Sequence, residues 1–239
     1  PMSMQLDDLQ EMLWSFATHR VVTVANRTGI LTHLAQRTGT SGRLATTLRL
    51  DPLACGKMVR ALAALGLLEA VGDGYRVVPS LADCFRSGPQ ALTPFIEHTH
   101  QMYERWGENL EGWVRGDAPP PRGTPDPQRF GEAMQAMGSR VAELLARTLD
   151  LDGVQRVLDV GGGFGHYARA LCMARPGLQA TVLDREEVVA LGRQALTGTK
   201  LEGRVTFLGG RRLENGYDAG FDLLPAANVL HQEPADGPA

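Results

Sequence analysis

A chain of 239 residues, 43% hydrophobic and 21% charged with a net charge of -3, can bury one large core or two smaller ones. That balance argues against wholesale disorder, a polybasic nucleic-acid surface and an acidic tail. The three cysteines, Cys55, Cys84 and Cys172, are widely spaced and odd in number, so they argue against a disulfide framework and point to reduced thiols in a cytoplasm. No apolar run approaches the ~18 residues of a membrane span, and the first residues lack the basic-then-apolar order of a signal peptide, so no membrane partner is expected.

Residues 5–26 carry Leu6, Leu9, Leu13, Phe16, Val21 and Val24 at three- and four-residue steps, the stripe of an amphipathic helix suited to an interface. From Gly29 to about Phe85 the pattern becomes two short helices, a longer one and a hairpin. Asp51-Pro52 is a cap followed by a first-turn proline, and Gly66 is a stop signal. Met58, Val59, Leu62 and Leu65 share one face of the helix between them. Leu67–Ala70 and Tyr75–Val78 flank Gly72-Asp73-Gly74, which predicts a β-hairpin and, with the helices before it, a winged helix. Such a fold often binds DNA, but the helix from 52 to 66 offers only Lys57 and Arg60, and residues 1–85 carry eight basic against seven acidic side chains. Neutralising phosphates takes several cations on one face, so a structural or dimerising wing is expected and a nucleic-acid partner is not.

Residues 93–114 and 128–149 read as two helices joined by a stiff segment rich in proline, 116–127. They carry His98, His100, Met102, Tyr103, Trp106, Met134 and Met137. These are either core and satisfied polar groups or the wall of a pocket for a flat apolar substrate.

After Gln155 the period changes. Arg156–Val160 is a short β-branched strand running into Gly161-Gly162-Gly163-Phe164-Gly165; a helix follows to about Arg175, and Ala180–Leu183 forms a second strand ending at Asp184. Strand, glycine turn, helix, strand and acid make a βαβ unit suited to a cofactor that contains a nucleoside. The spacing of Gly163, Gly165 and Ala168 also admits a dinucleotide. Asp159 at the strand's tip repels a pyrophosphate but attracts an α-ammonium, which favours S-adenosylmethionine.

The run Val157-Leu158-Asp159-Val160-Gly161-Gly162-Gly163-Phe164-Gly165 resembles the first motif of the plant-type small-molecule O-methyltransferases and their bacterial relatives, and the similarity covers nearly the whole chain. Phe130-Gly131-Glu132-Ala133-Met134 resembles the helix these enzymes place beside the substrate. Thr181–Asp184 is similar to the strand whose acid binds ribose, Arg204–Gly210 to the third strand, and Asn228-Val229-Leu230-His231 to the end of the fourth. The resemblance implies an α/β fold with a mainly helical, winged N-terminal part (1–90), pocket helices (91–150) and a partial, doubly wound, Rossmann-like domain (151–239). It implies a homodimer joined through the N-terminal part and an S-adenosylmethionine-dependent methyl transfer to a small hydroxylated aromatic or polyketide-like metabolite. Gly161, Gly163, Gly165 and Asp184 would bind the cofactor with Asp159 at its ammonium, Arg211 and Asn228 nearby, and His231 as base. His100, Tyr103, Trp106, Met134 and Met137 would face the substrate, and no metal is implied.

Four departures accompany it. Arg211-Arg212 stands where relatives keep an acid for the adenine amino group, and an arginine has no acceptor to offer. His231 is followed by Gln232-Glu233-Pro234 rather than an aromatic, and Pro225 lies inside the predicted fourth strand, where it suits an edge. Residues 151–239 hold four strands with their connections, roughly 100 residues short of a seven-stranded sheet at about 30 per βα unit, so weak methyl transfer at most and an exposed fourth strand are expected of this chain. Two other functions remain open at this point. One is a methyltransferase fold that holds the cofactor for a cyclisation, rearrangement or oxidation, motivated by Arg211 and the residues after His231. The other is a winged-helix transcriptional regulator.

Overall fold

The structure is a computed structural model that describes residues 4–88, 90–118, 126–210, 220–227 and 229. It divides into two compact units, residues 1–121 and 122–239. Among the described residues no helix is long and apolar enough to cross a membrane.

The first unit begins with α1 (Leu6–Arg27), followed by α2 (Ile30–Gln36), α3 (Ser41–Leu48) and α4 (Pro52–Ala64). Asp51 caps α4 as its sequence predicts, its carboxylate accepting the Ala54 N–H at 2.7 Å, while Pro52 fills the first turn where no N–H is needed. Strands β1 (Leu68–Val71) and β2 (Gly74–Val77) pair antiparallel, within one residue of the predicted hairpin. Gly39 and Tyr75 exchange both backbone hydrogen bonds, at 2.9 and 3.0 Å, adding a short third edge to the wing. That close approach requires glycine at 74, because a Cβ there would lie 2.9 Å from the Gly39 backbone.

Ile30, Leu31, Leu34, Leu44, Val59, Leu62, Leu68, Val77 and Phe85 form the core of this unit. Leu65, expected on the buried face of α4, is largely exposed, because the helix ends at Ala64 and the chain turns through Gly66. Cys55 takes its place on that face. The apolar stripe of α1 divides: Val21 and Val22 pack on the core, while Leu6, Leu13 and Trp14 are 65–68% exposed. A seven-residue 3₁₀ segment, Pro79–Phe85, leads to α5 (Thr93–Val114), which lies along α1.

The second unit starts with α6 (Pro127–Thr148) and continues β3 (Arg156–Val160), α7 (His166–Ala174), β4 (Gln179–Asp184), α8 (Glu186–Leu196) and β5 (Val205–Gly209). The strands pair in parallel in the order β3-β4-β5. Residues 222–225 line the free side of β3: the Leu158 N–H donates to the Leu223 carbonyl at 3.0 Å, Val160 N–H to Pro225 carbonyl at 2.9 Å, and Asp222 N–H to Arg156 carbonyl at 2.8 Å. Pro225 contributes an acceptor here, so its missing donor costs this pairing nothing. The Asp222 carboxylate ties the segment down further by accepting the Gln155 and Arg156 amides at 2.8 and 2.9 Å.

Chain order therefore reverses at β3, whose neighbours are the next strand on one side and a much later segment on the other. A crevice at the C-terminal end of such a strand is where doubly wound sheets bind ligands. Val157, Leu158, Val182, Leu183, Ala168 and Leu171 close the core beneath it.

Candidate functional site

The turn after β3 occupies that crevice. Gly161, Gly163 and Gly165 have φ of 68, 58 and 75°, left-handed values that a side chain would strain, so the glycine run is a geometric requirement of the turn. The Gly161 N–H donates to the Leu183 carbonyl at 2.7 Å, joining the turn to β4, and the Gly165 N–H returns to the Gly162 carbonyl at 2.8 Å. Gly165 then begins α7, where a Cβ would press on Val182 at 3.0 Å.

Two carboxylates hold the turn. Asp184, at the end of β4, accepts the Gly163 N–H through Oδ2 at 2.9 Å and the Arg185 N–H through Oδ1 at 2.8 Å. Each of its oxygens keeps acceptor capacity for a further donor, such as a vicinal diol. Asp159, near the end of β3, is 1% exposed; its Oδ2 accepts the Ala168 N–H of α7 at 3.2 Å. Burial pushes its pKa up from 3.8 to about 7, the Ala168 hydrogen bond opposes that shift, and the charge of Asp184 adds to it. Above Gly163 the space is open, since a Cβ there would meet nothing within 4 Å. The turn thus offers bare backbone, a half-buried carboxylate with spare acceptors and room on one side, a cradle that fits a nucleoside.

Residues 122–234 match the O-methyltransferase domain family. The chain is 29% identical over 245 aligned residues to a 3-hydroxy-5-methyl-1-naphthoate 3-O-methyltransferase of Streptomyces sahachiroi, and 27% identical over 241 to the N,N-dimethyltransferase OxyT of Streptomyces rimosus; each alignment covers 95% of this chain and 68% of the relative. It superposes on the mitomycin 7-O-methyltransferase MmcR with a TM-score of 0.73 at 26% identity, covering 94% of this chain and 71% of that one. Residues 122–234 thus carry an O-methyltransferase domain, and nearly the whole chain is similar to small-molecule O-methyltransferases.

The strand order of this domain, with 222–225, β3, β4 and β5 side by side, brings Gly161, Gly163, Gly165 and Asp184 into one cradle. Asp159 lies against the same turn, but with its carboxyl buried. Arg211, Asn228 and His231 lie outside the described residues, as does Arg212. Of the expected substrate residues, His100, Tyr103 and Trp106 belong to the first unit and Met134 and Met137 to the second. His100 is 3% exposed and faces α1: its ring nitrogens meet the guanidinium groups of Arg20, at 2.9 Å, and Arg27, with Glu104 3.4 Å away. Tyr103 stacks on His19 at 5.1 Å between centroids, and Trp106 is 52% exposed. Met134 is half-buried, and Met137 lies nearer the surface.

Three residues of this site were not singled out by sequence. Phe164 is buried against Gly131 of α6, where a Cβ would collide with its ring, and His166 meets Gly138 one heptad further on in the same way. Gly131, Gly138, Ala142 and Ala146 give α6 a buried face of small residues, and that seven- and four-residue spacing is a signal the sequence does contain. Burial, reinforced by Arg169, lowers the His166 pKa to about 4, so its ring is neutral near pH 7. The third is Gly162, whose absent side chain leaves space for the Asp159 carboxyl.

Because the pKa of Asp159 is raised on folding, the native state binds the extra proton between about 4 and 7, and the stability this contributes is present below 4 and lost as pH rises through 7. His166 has the opposite sign: its lowered pKa removes stability as pH falls from 6.5 toward 4. In urea titrations Asp159→Asn is expected to stabilise the chain relative to the parent at pH 8 by roughly 1–3 kcal/mol, with the gain fading as pH falls toward 4. An equal difference at pH 5 and pH 8 contradicts this assignment.

Proposed function

We propose that the protein transfers the methyl group of S-adenosylmethionine to a hydroxyl group of a small aromatic or polyketide-like metabolite, working as a cytoplasmic homodimer. The observation that carries the cofactor part of this reading is the Gly163 amide held by Asp184 at the switch point of the sheet. When bound, the cofactor supplies a methyl group on a sulfonium, which leaves as a neutral thioether.

The chain's own residues have simpler tasks. Gly161, Gly163 and Gly165 let the backbone approach the nucleoside, and the free acceptor capacity of Asp184 receives the ribose hydroxyls. His231 is assigned the proton of the attacking hydroxyl, a role for which histidine is suited as an acceptor. The resemblance assigns Arg211 and Asn228 to the cofactor and apolar substrate contacts to Tyr103 and Trp106 of the first unit and to Met134 and Met137 of the second, while His100 is engaged by Arg20 and Arg27. In-line displacement depends chiefly on alignment, so this division of labour asks for one proton acceptor and a fixed acceptor pose. The cytoplasmic reading is supported by three buried free thiols.

The test is a thermal shift with S-adenosylhomocysteine followed by labelled-methyl transfer to a panel of phenols and amines. Asp184→Ala is expected to abolish the shift, and His231→Ala to keep it while reducing transfer to a phenol by about 100-fold or more. A full thermal shift in Asp184→Ala, or label moving only to amines, contradicts the reading.

The homodimer is supported by the exposed half of α1, where Leu6, Leu9, Met12, Leu13, Trp14 and Phe16 form an apolar surface larger than scattered single residues account for. Sedimentation should show a dimer that Leu13→Glu with Phe16→Glu converts to a monomer. A parent that sediments as a monomer at micromolar concentration rejects it.

A further inference from the structure

Asp159 and Asp184 stand at the ends of neighbouring strands, yet the structure gives them different surroundings. The Asp184 carboxylate is half-buried and bonded to the open part of the turn at Gly163. The Asp159 carboxyl is sealed beneath the turn. A Cβ on Gly162 would lie 2.5 Å from its Cγ and 2.6 and 2.9 Å from its two oxygens. Oδ2 accepts the amide of Ala168, an N–H of the first turn of α7 that has no partner within the helix, and Oδ1 is buried without a hydrogen-bond partner among the described residues.

We propose that Asp159 is a positioning residue: it fixes the Gly161–Gly165 turn from beneath, through contact with Gly162 and its bond to Ala168, and does not touch the bound cofactor. This rests on the cofactor reading above and replaces the expected contact between Asp159 and the cofactor ammonium. The carboxyl acts as a helix cap supplied from nine residues upstream, so the end of β3 and the start of α7 share one fixed point. Gly162 is not among the positive-φ glycines, so its lack of a side chain is explained by the carboxyl beneath it rather than by backbone conformation.

Calorimetric titration with two nucleosides separates positioning from direct contact. S-adenosylhomocysteine carries the ammonium; 5′-methylthioadenosine shares the nucleoside and lacks it. Positioning predicts that Asp159→Ala weakens both by the same factor, about tenfold or more, while Asp159→Asn, which keeps an acceptor for the Ala168 amide, stays within about threefold of the parent for both. Gly162→Ala should weaken both ligands, and by a smaller factor in the Asp159→Ala background, where the new methyl has room.

Loss confined to S-adenosylhomocysteine, or equal loss in Asp159→Asn and Asp159→Ala, overturns the proposal. If Asp159→Ala does not fold, Asp159→Asn and Gly162→Ala still make the comparison. A parent that binds neither nucleoside rejects the cofactor reading instead; the hold on the turn is then read from hydrogen exchange, with the Ala168 amide less protected in Gly162→Ala and protected as in the parent in Asp159→Asn. Unchanged protection in Gly162→Ala overturns it.

Discussion

The bond from the Gly163 amide to the Asp184 carboxylate, 2.9 Å long, connects the turn after β3 to the end of β4. Beyond the last paired residues a parallel sheet supplies few hydrogen bonds of its own, so the turn needs acceptors from the neighbouring strand to keep its left-handed glycines in one conformation. Asp184 provides one from the neighbouring strand, and the Leu183 carbonyl provides another for Gly161. Because Asp184 has capacity left after both of its amide bonds, the group that shapes the cradle also has acceptors to offer a ligand.

The remainder of the second unit keeps that arrangement rigid. Phe164 and His166, on either side of Gly165, are received by the side-chain-free positions of Gly131 and Gly138 on α6, and Val182 and Phe207 pack beneath Gly165 itself. Small residues on one element admit large ones from another, which allows close packing. Arg204 adds a polar fastening at the opposite, N-terminal end of the strands, donating to the carbonyls of Cys172, Arg175 and Leu178.

Local chemistry made the strand, glycine turn, helix and acid legible in the sequence, since left-handed turns select glycine and short buried strands select β-branched residues. Asp51-Pro52 and the wing were legible for the same reason. Periodicity was less informative about α1, because an apolar stripe looks the same whether a core covers it or not, and Leu13 and Trp14 turn out exposed. Long-range contacts were invisible: nothing local to Gly131 announces Phe164, and nothing local to His100 announces Arg20 and Arg27. Asp159 shows the limit most clearly, because its position in the motif suggested a ligand contact while its burial beneath Gly162 is a property of the folded turn.

The central claim is that the glycine turn and Asp184 form the nucleoside cradle. Amide chemical shifts measured during titration with S-adenosylhomocysteine test it most directly. The account predicts saturable shifts centred on Gly161, Gly163, Gly165 and Arg185, abolished together by Asp184→Ala. Saturable binding that leaves those amides unmoved and shifts residues elsewhere in the chain would contradict it.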